Sequence, residues 1–216
     1  MSENETRNSN DFSNLEEKIP ETMHPAFEAV VKYKKQIVMG IAAIFVIAAV
    51  FGLVRWQRAN AESEAQTALG EILMNQQGAD RVSKLEALLE DAPSSVEPAI
   101  LLELSEACMQ TENYGKAAEY YERLAQNSDD TVSIVAGMGR AKALILAGKA
   151  EESYTLLKEL SEDAPESFAA TIYRQMALSA EAAGKTDAAL KAWEALLETP
   201  TADKEFVQYK LQQLKK

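Results

Sequence analysis

Residues Ile100–Leu124 read ILLELSEACMQTENYGKAAEYYERL, and the spacing within this stretch decides the fold. Leu104 and Cys108 stand four residues apart with the small Ser105 beside them, and Ala117, Tyr121 and Leu124 repeat the same intervals further on. Intervals of three and four put side chains on one face of an α-helix. Between the two runs, Asn113-Tyr114 supplies a tight turn, so the stretch reads as a helix, a turn and a second helix. No strand-like alternation with turn chemistry accompanies it, and alanine, leucine, glutamate and lysine dominate its surroundings.

Moving outward, the second-helix positions recur at a spacing of 36 residues. Leu85, Tyr121, Leu157 and Trp193 form one column, and Leu88, Leu124, Leu160 and Leu196 form another on the same helical face. A fixed period of this length is the mark of stacked helix pairs, each unable to bury its apolar face alone. Ala117, Ser153 and Ala189 form a third column, where a neighbouring helix approaches too closely for a long side chain. Trp193 and Leu124 are therefore expected in the core.

The punctuation repeats too. Gly148 and Gly184 fall between paired helices, where a left-handed residue ends a helix at little cost, and Asn113-Tyr114 takes that place in the first full unit. Pro93, Pro165 and Pro200 stop the second helices, and Ser94 with Glu97 has the spacing of a capping box for the next one. The units expected are 58–93, 98–130, 133–165 and 170–200, with a closing helix over 204–216 that lays Val207, Leu211 and Leu214 on the last unit. Arg58–Gln77 with Asp80–Asp91 makes a degenerate leading pair. Arg140 stands where the column calls for leucine, which leaves the phase of the helix over 133–147 open.

With these columns in place the chain resembles tetratricopeptide repeats. Leu104, Ser105, Tyr114, Ala117, Tyr121 and Leu124 carry the likeness in one unit, and Met176, Ala177, Gly184, Ala189, Trp193 and Leu196 in another. The resemblance implies a curved solenoid whose inner surface, formed by the first helix of each pair, binds peptides or partner helices. On this sequence that surface is lined by Leu102, Glu106 and Met109, then Met138, Lys142 and Ile145, then Arg174, Leu178 and Glu181. Methionines there suit varied partners. The competing reading packs these residues on neighbouring helices or under residues 58–77 folded back.

Before the repeats comes IVMGIAAIFVIAAVFGLV, Ile37–Val54, 18 residues without a charge. As a helix it spans roughly the ~30 Å of bilayer hydrocarbon. Tyr33 and Trp56 sit at its ends, and Lys32, Lys34, Lys35, Arg55 and Arg58 close them. Residues 37–54 are thus expected to be a transmembrane helix, residues 55–216 the repeat domain, and residues 1–36 an arm with a short basic lead-in. Polar, acidic residues 1–22 cannot bury enough surface to order themselves, and Phe27, Val30 and Val31 share one face of the lead-in. Lys18, Lys32, Lys34 and Lys35 outnumber Arg55 and Arg58, which favours the N-terminus inside and, in a bacterium, a periplasmic repeat domain. A cleaved signal peptide is the rival, given Ala59-Asn60-Ala61, but the apolar run is long and begins late.

The layout is similar to the ancillary subunit family of the SecYEG translocon. AVVKYKKQIVMGIAAIFV at the anchor, RAKALILAGKAEESYTLL in the middle and GKTDAALKAWEALL before a lysine-ended terminal helix carry this resemblance. It implies an inner-membrane protein with a chaperone-like periplasmic role, whose partners are translocon subunits, an anchored periplasmic chaperone of the prolyl-isomerase type and unfolded clients. The other function class left open is a structural scaffold for envelope assembly or division.

Composition narrows the remaining classes. Lys and Arg number 22 against 34 Asp and Glu, a net charge of −12, which argues against a nucleic-acid partner because phosphate binding needs clustered positive charge. Cys108 is the only cysteine and His24 the only histidine. No intrachain disulfide can form, and the repeat region has no histidine for a nucleophile-base pair or a zinc site. Gly137 and Gly139 lack the Lys-Ser/Thr of a phosphate loop. Asp129-Asp130 and Glu151-Glu152 fall at helix starts, where negative charge suits the macrodipole. The expectation is a protein-binding chain without cofactor, metal or catalysis.

Overall fold

A computed structural model describes residues 24–200 and 203–215. The arm over 1–22 lies outside the described residues, as do the side chains of Phe27, Val30 and Val31. Among the described residues the regular elements are all α-helices: α1 His24–Asn75, α2 Gly78–Asp91, α3 Glu97–Gln110, α4 Tyr114–Gln126, α5 Asp130–Leu146, α6 Ala150–Asp163, α7 Glu166–Ala182, α8 Thr186–Glu198 and α9 Lys204–Leu214. The all-α class read from the sequence, one apolar N-terminal helix followed by helix pairs, is the architecture observed.

The chain divides after Arg58 into two units. In the first, every described side chain of α1 from Val38 to Arg58 is exposed, and apolar groups point in all directions. A helix apolar on every side finds its matching solvent in lipid, and α1 is long and apolar enough to cross a membrane. It does not stop at Val54: Arg55-Trp56-Gln57-Arg58 contains no glycine or proline, and helical structure runs on to Asn75.

In the second unit each helix packs on the next from α2 through α9, and α5 also packs directly on α7. Ala65, Leu69 and Ile72 of α1 join Leu85, Ile100, Leu104 and Ala107 in the first core cluster, so this part of α1 serves as the first helix of the leading pair. Leu85, Leu157 and Trp193 are fully buried and Tyr121 half-buried, while Leu124 and Leu196 are buried with Leu88 and Leu160 half-buried beside them. Ala117, Ser153 and Ala189 are fully buried. Ser153 Oγ donates to the Ala141 carbonyl of α5 at 2.8 Å and lies 2.9 Å from Ser179 Oγ of α7, which satisfies a hydroxyl at an otherwise apolar crossing. Val207 and Leu211 seat α9 on Trp193 and Leu196, with Leu214 packed alongside.

The turns within pairs share one geometry. Glu112, Gly148 and Gly184 have φ of 59°, 79° and 70°. The following amides bond back five residues, Asn113 to Cys108, Lys149 to Leu144 and Lys185 to Ala180, each at 2.8 Å, the Schellman ending of a helix. The left-handed position in the first full unit thus belongs to Glu112, not to Asn113-Tyr114. The capping box also does not form. Val96, not Ser94, precedes α3, and Pro93 begins a turn whose carbonyl accepts from the Val96 and Glu97 amides. Pro98, with φ already helical, opens the helix instead. Glu97 is taken by Arg123 at 3.1 Å.

The structure resolves the phase of α5. Ala141 is fully buried, one period after Ser105 and one before Ala177, both also fully buried. Arg140 therefore does occupy the leucine position, and its guanidinium turns to Glu122 of α4 at 3.0 Å. Gly139 lets α5 approach α4, since a Cβ there would lie 2.6 Å from Tyr121 Cε1.

Candidate protein-binding surface

The nine residues expected to line an inner surface come from α3, α5 and α7, three per helix at intervals of four and three. That spacing gives each helix one face. On α3, Leu102 is 39% exposed, Glu106 is exposed, and Met109 is half-buried against the cluster of Cys108 and Ala117. On α5, Lys142 is exposed and Ile145 half-buried. On α7, Leu178 is 41% exposed.

Three residues stand elsewhere than on a free surface. Met138 is only 9% exposed and packs with Ala141, Leu157 and Ile172. The direct packing of α5 on α7 draws this long, flexible side chain inward, whereas Leu102, one period earlier, keeps its tip in solvent. Arg174 Nη2 is held by Asp203 Oδ2 at 2.7 Å, just ahead of α9. Glu181 accepts from Trp193 Nε1 at 2.6 Å and from Lys210 Nζ of α9 at 2.7 Å. The closing segment therefore engages the charged members contributed by α7.

Val135, 49% exposed on α5 one turn before Met138, is an apolar group the repeat pattern did not single out. Its signal was available, because Ala99 and Thr171 hold the same position in α3 and α7 and are exposed. Leu102 on α3, Val132, Val135 and Leu146 on α5 and Leu178 on α7 are exposed apolar side chains of the first helices of the three full pairs, among Glu106 and Lys142.

Electrostatics near the face are mild. Burial, then the charge of Glu106, pushes the Glu103 carboxyl above its usual range, and Arg81 opposes the shift. Burial likewise pushes the Cys108 thiol up, which keeps it protonated and unreactive. Within the second unit, Ala65, Leu69 and Ile72 of α1 belong to the leading cluster rather than to this face. Among the described residues no three His, Cys, Asp or Glu side chains are grouped to hold a metal.

The sequence profile of a tetratricopeptide repeat-like domain matches residues 31–216. A solved structure entitled "MamA RS-1 ArsTM double mutant" is similar in fold, with a TM-score of 0.52 at 11% identity over 72% of this chain and 94% of that one. No curated protein matches. Folds of this kind are scaffolds for contact between proteins.

Proposed function

The chain belongs to the tetratricopeptide repeat-like domain family, and from that premise we propose that it is a membrane-anchored, non-enzymatic subunit that binds protein segments beside a protein translocon. In this reading it has a chaperone-like role in the bacterial periplasm. α1 is the single-pass anchor in the inner membrane, with the N-terminus in the cytoplasm. The partners are translocon subunits, an anchored chaperone of the prolyl-isomerase type and emerging unfolded chains. The observation that carries the reading is the set of exposed apolar groups on the first helices of the full pairs, Leu102 on α3, Val132, Val135 and Leu146 on α5 and Leu178 on α7, in a domain whose second-helix columns are buried or half-buried. Apolar side chains left in water on the first helices of a scaffold fold mark a docking face for segments that offer apolar groups in return.

The test is site-specific photocrosslinking from Val135 in native membranes, repeated in the Leu102→Asp/Leu178→Asp variant. Crosslinks to translocon subunits or periplasmic chaperones, lost in the variant while circular dichroism stays helical, support the proposal. Crosslinks to cell-wall or outer-membrane machinery would instead support the scaffold reading. Crosslinks unchanged in a folded variant would place binding on another surface.

A further inference from the structure

Two clefts occupy the same place in two helix pairs, two periods apart, away from the face of Leu102 and Leu178. One, of about 540 Å³, lies between the start of α5 and the end of α6. Ile134, Leu156 and Leu160 line it half-buried, with exposed Asp130, Glu159 and Asp163 around them. The other, of about 300 Å³, lies between α1 and α2, where Ala65 and Leu88 give the apolar lining and Glu64 and Asp91 the exposed carboxylates. Leu160, Asp163, Ala164 and Pro165 correspond to Leu88, Asp91, Ala92 and Pro93, all within the lining. The proline behind each helix holds the residue before it extended, with φ and ψ of −71° and 138° at Ala92 and −73° and 141° at Ala164. Both chain exits therefore have the same form.

The charges at these exits run against helix electrostatics. A helix C-terminus carries the negative end of the macrodipole and favours cations. Yet α2 ends in Glu90-Asp91 and α6 in Glu162-Asp163, with no basic residue in either last turn. Some carboxylates of the repeat domain are neutralised, as Glu86 is by Lys116, Glu122 by Arg140 and Glu151 by Lys185. Glu64, Asp91, Asp130, Glu159 and Asp163 enter none of the salt bridges among the described residues. At both exits the acidic residues thus stand beside an apolar recess, at equivalent places in two pairs.

We propose that both clefts dock short cationic peptide segments, an apolar side chain entering the recess while flanking lysines or arginines meet the unpaired carboxylates and the helix C-terminus. Charge complementarity selects this occupant: anionic lipid and nucleic acid are repelled by the same carboxylates. Both clefts have room for a leucine side chain.

The experiment uses the full chain in uncharged detergent and a labelled acetyl-Lys-Lys-Leu-Lys-Lys-amide peptide, with the glutamate-for-lysine peptide as control. Two lysine peptides should bind per chain, more weakly as salt rises, and the glutamate peptide should not bind. Glu159→Gln/Asp163→Asn should weaken the first site about tenfold, the scale of two lost surface charge contacts, and Glu64→Gln/Asp91→Asn should do the same to the second. Thr131→Arg, at an exposed position in the lining of the first cleft, supplies a cation from the chain itself and should abolish that site without removing any carboxylate. Undetectable binding, equal binding of both peptides, or unchanged affinity and stoichiometry in the combined variants would overturn the proposal.

Discussion

Trp193 donates its indole N–H to Glu181 Oε1 at 2.6 Å, and the other oxygen of the same carboxylate receives Lys210 Nζ at 2.7 Å. One side chain of α7 thereby ties α8 to α9. Lys210 also stands 5.8 Å over the Trp193 ring, and Phe206 meets that ring edge-on at 5.9 Å. The column residue most recognisable in the sequence is also the one that fastens the closing helix.

Two truncations separate packing from hydrogen bonding at this joint. Trp193→Ala removes a fully buried aromatic and should cost about 3–5 kcal/mol, a large part of a domain stability of about 5–15 kcal/mol. Glu181→Ala leaves the indole N–H without its acceptor and should cost about 1–3 kcal/mol. Urea unfolding of the full chain in detergent, followed by circular dichroism, measures both; a larger loss for Glu181→Ala would mean that the bond outweighs the packing.

Glu112 holds the left-handed position that Gly148 and Gly184 hold in the next two units. A side chain costs about 1 kcal/mol there. Glu112→Gly should therefore raise the thermal midpoint, and Gly148→Ala should lower it by a similar free energy. Opposite signs in the same calorimetric series confirm the shared turn; equal signs would refute it.

Glu86 of α2 accepts from Lys116 at 2.7 Å and from Tyr120 Oη at 2.6 Å, both on α4. The hydrogen bond from Lys116, then that from Tyr120, holds its carboxyl below the usual range. A depressed carboxyl stabilises the folded state above its unfolded pKa, and that contribution is lost as pH falls through the folded value. The stability difference between the parent and Glu86→Gln should therefore be greatest near neutrality and shrink below about pH 4.3. Chemical unfolding at a series of pH values reads this directly, and a gap that widens in acid would contradict it.

The proposed anchor implies a topology as well. In a Cys108→Ala background, Asp130→Cys should react with a membrane-impermeant thiol reagent in cells with a permeable outer membrane, and Asn10→Cys should react only after lysis. Reaction at Asn10→Cys alone would reverse the orientation drawn from the lysine bias.

Spacing carried much of this architecture. Leu85, Leu157 and Trp193 were legible as core because a large apolar residue recurring at one period has to face its neighbours, and the left-handed ends at Gly148 and Gly184 were legible because glycine advertises them. Glu112 was not, since nothing in glutamate announces a positive φ, and the Ser94–Glu97 spacing misled because Pro93 turns the chain before the helix begins. On the candidate surface, Leu102 and Leu178 were assigned through the resemblance to tetratricopeptide repeats, and both are exposed. Met138 was lost to the core because the direct contact of α5 with α7 is a tertiary fact that no intrahelical spacing encodes, and Arg174 and Glu181 were lost to partners on the closing segment.

The succession of α2 through α9, each helix resting on its neighbour in sequence, has a kinetic consequence. Few contacts bridge distant parts of the chain, so loop-closure entropy is small at every step and folding is fast for the size of the domain. A chain delivered N-terminus first can thus bury its leading pair while later pairs are still being made, and each new helix finds a finished surface to fold on. Fraying should run the opposite way, with amide exchange quickest in α9 and slowing toward the middle of the array.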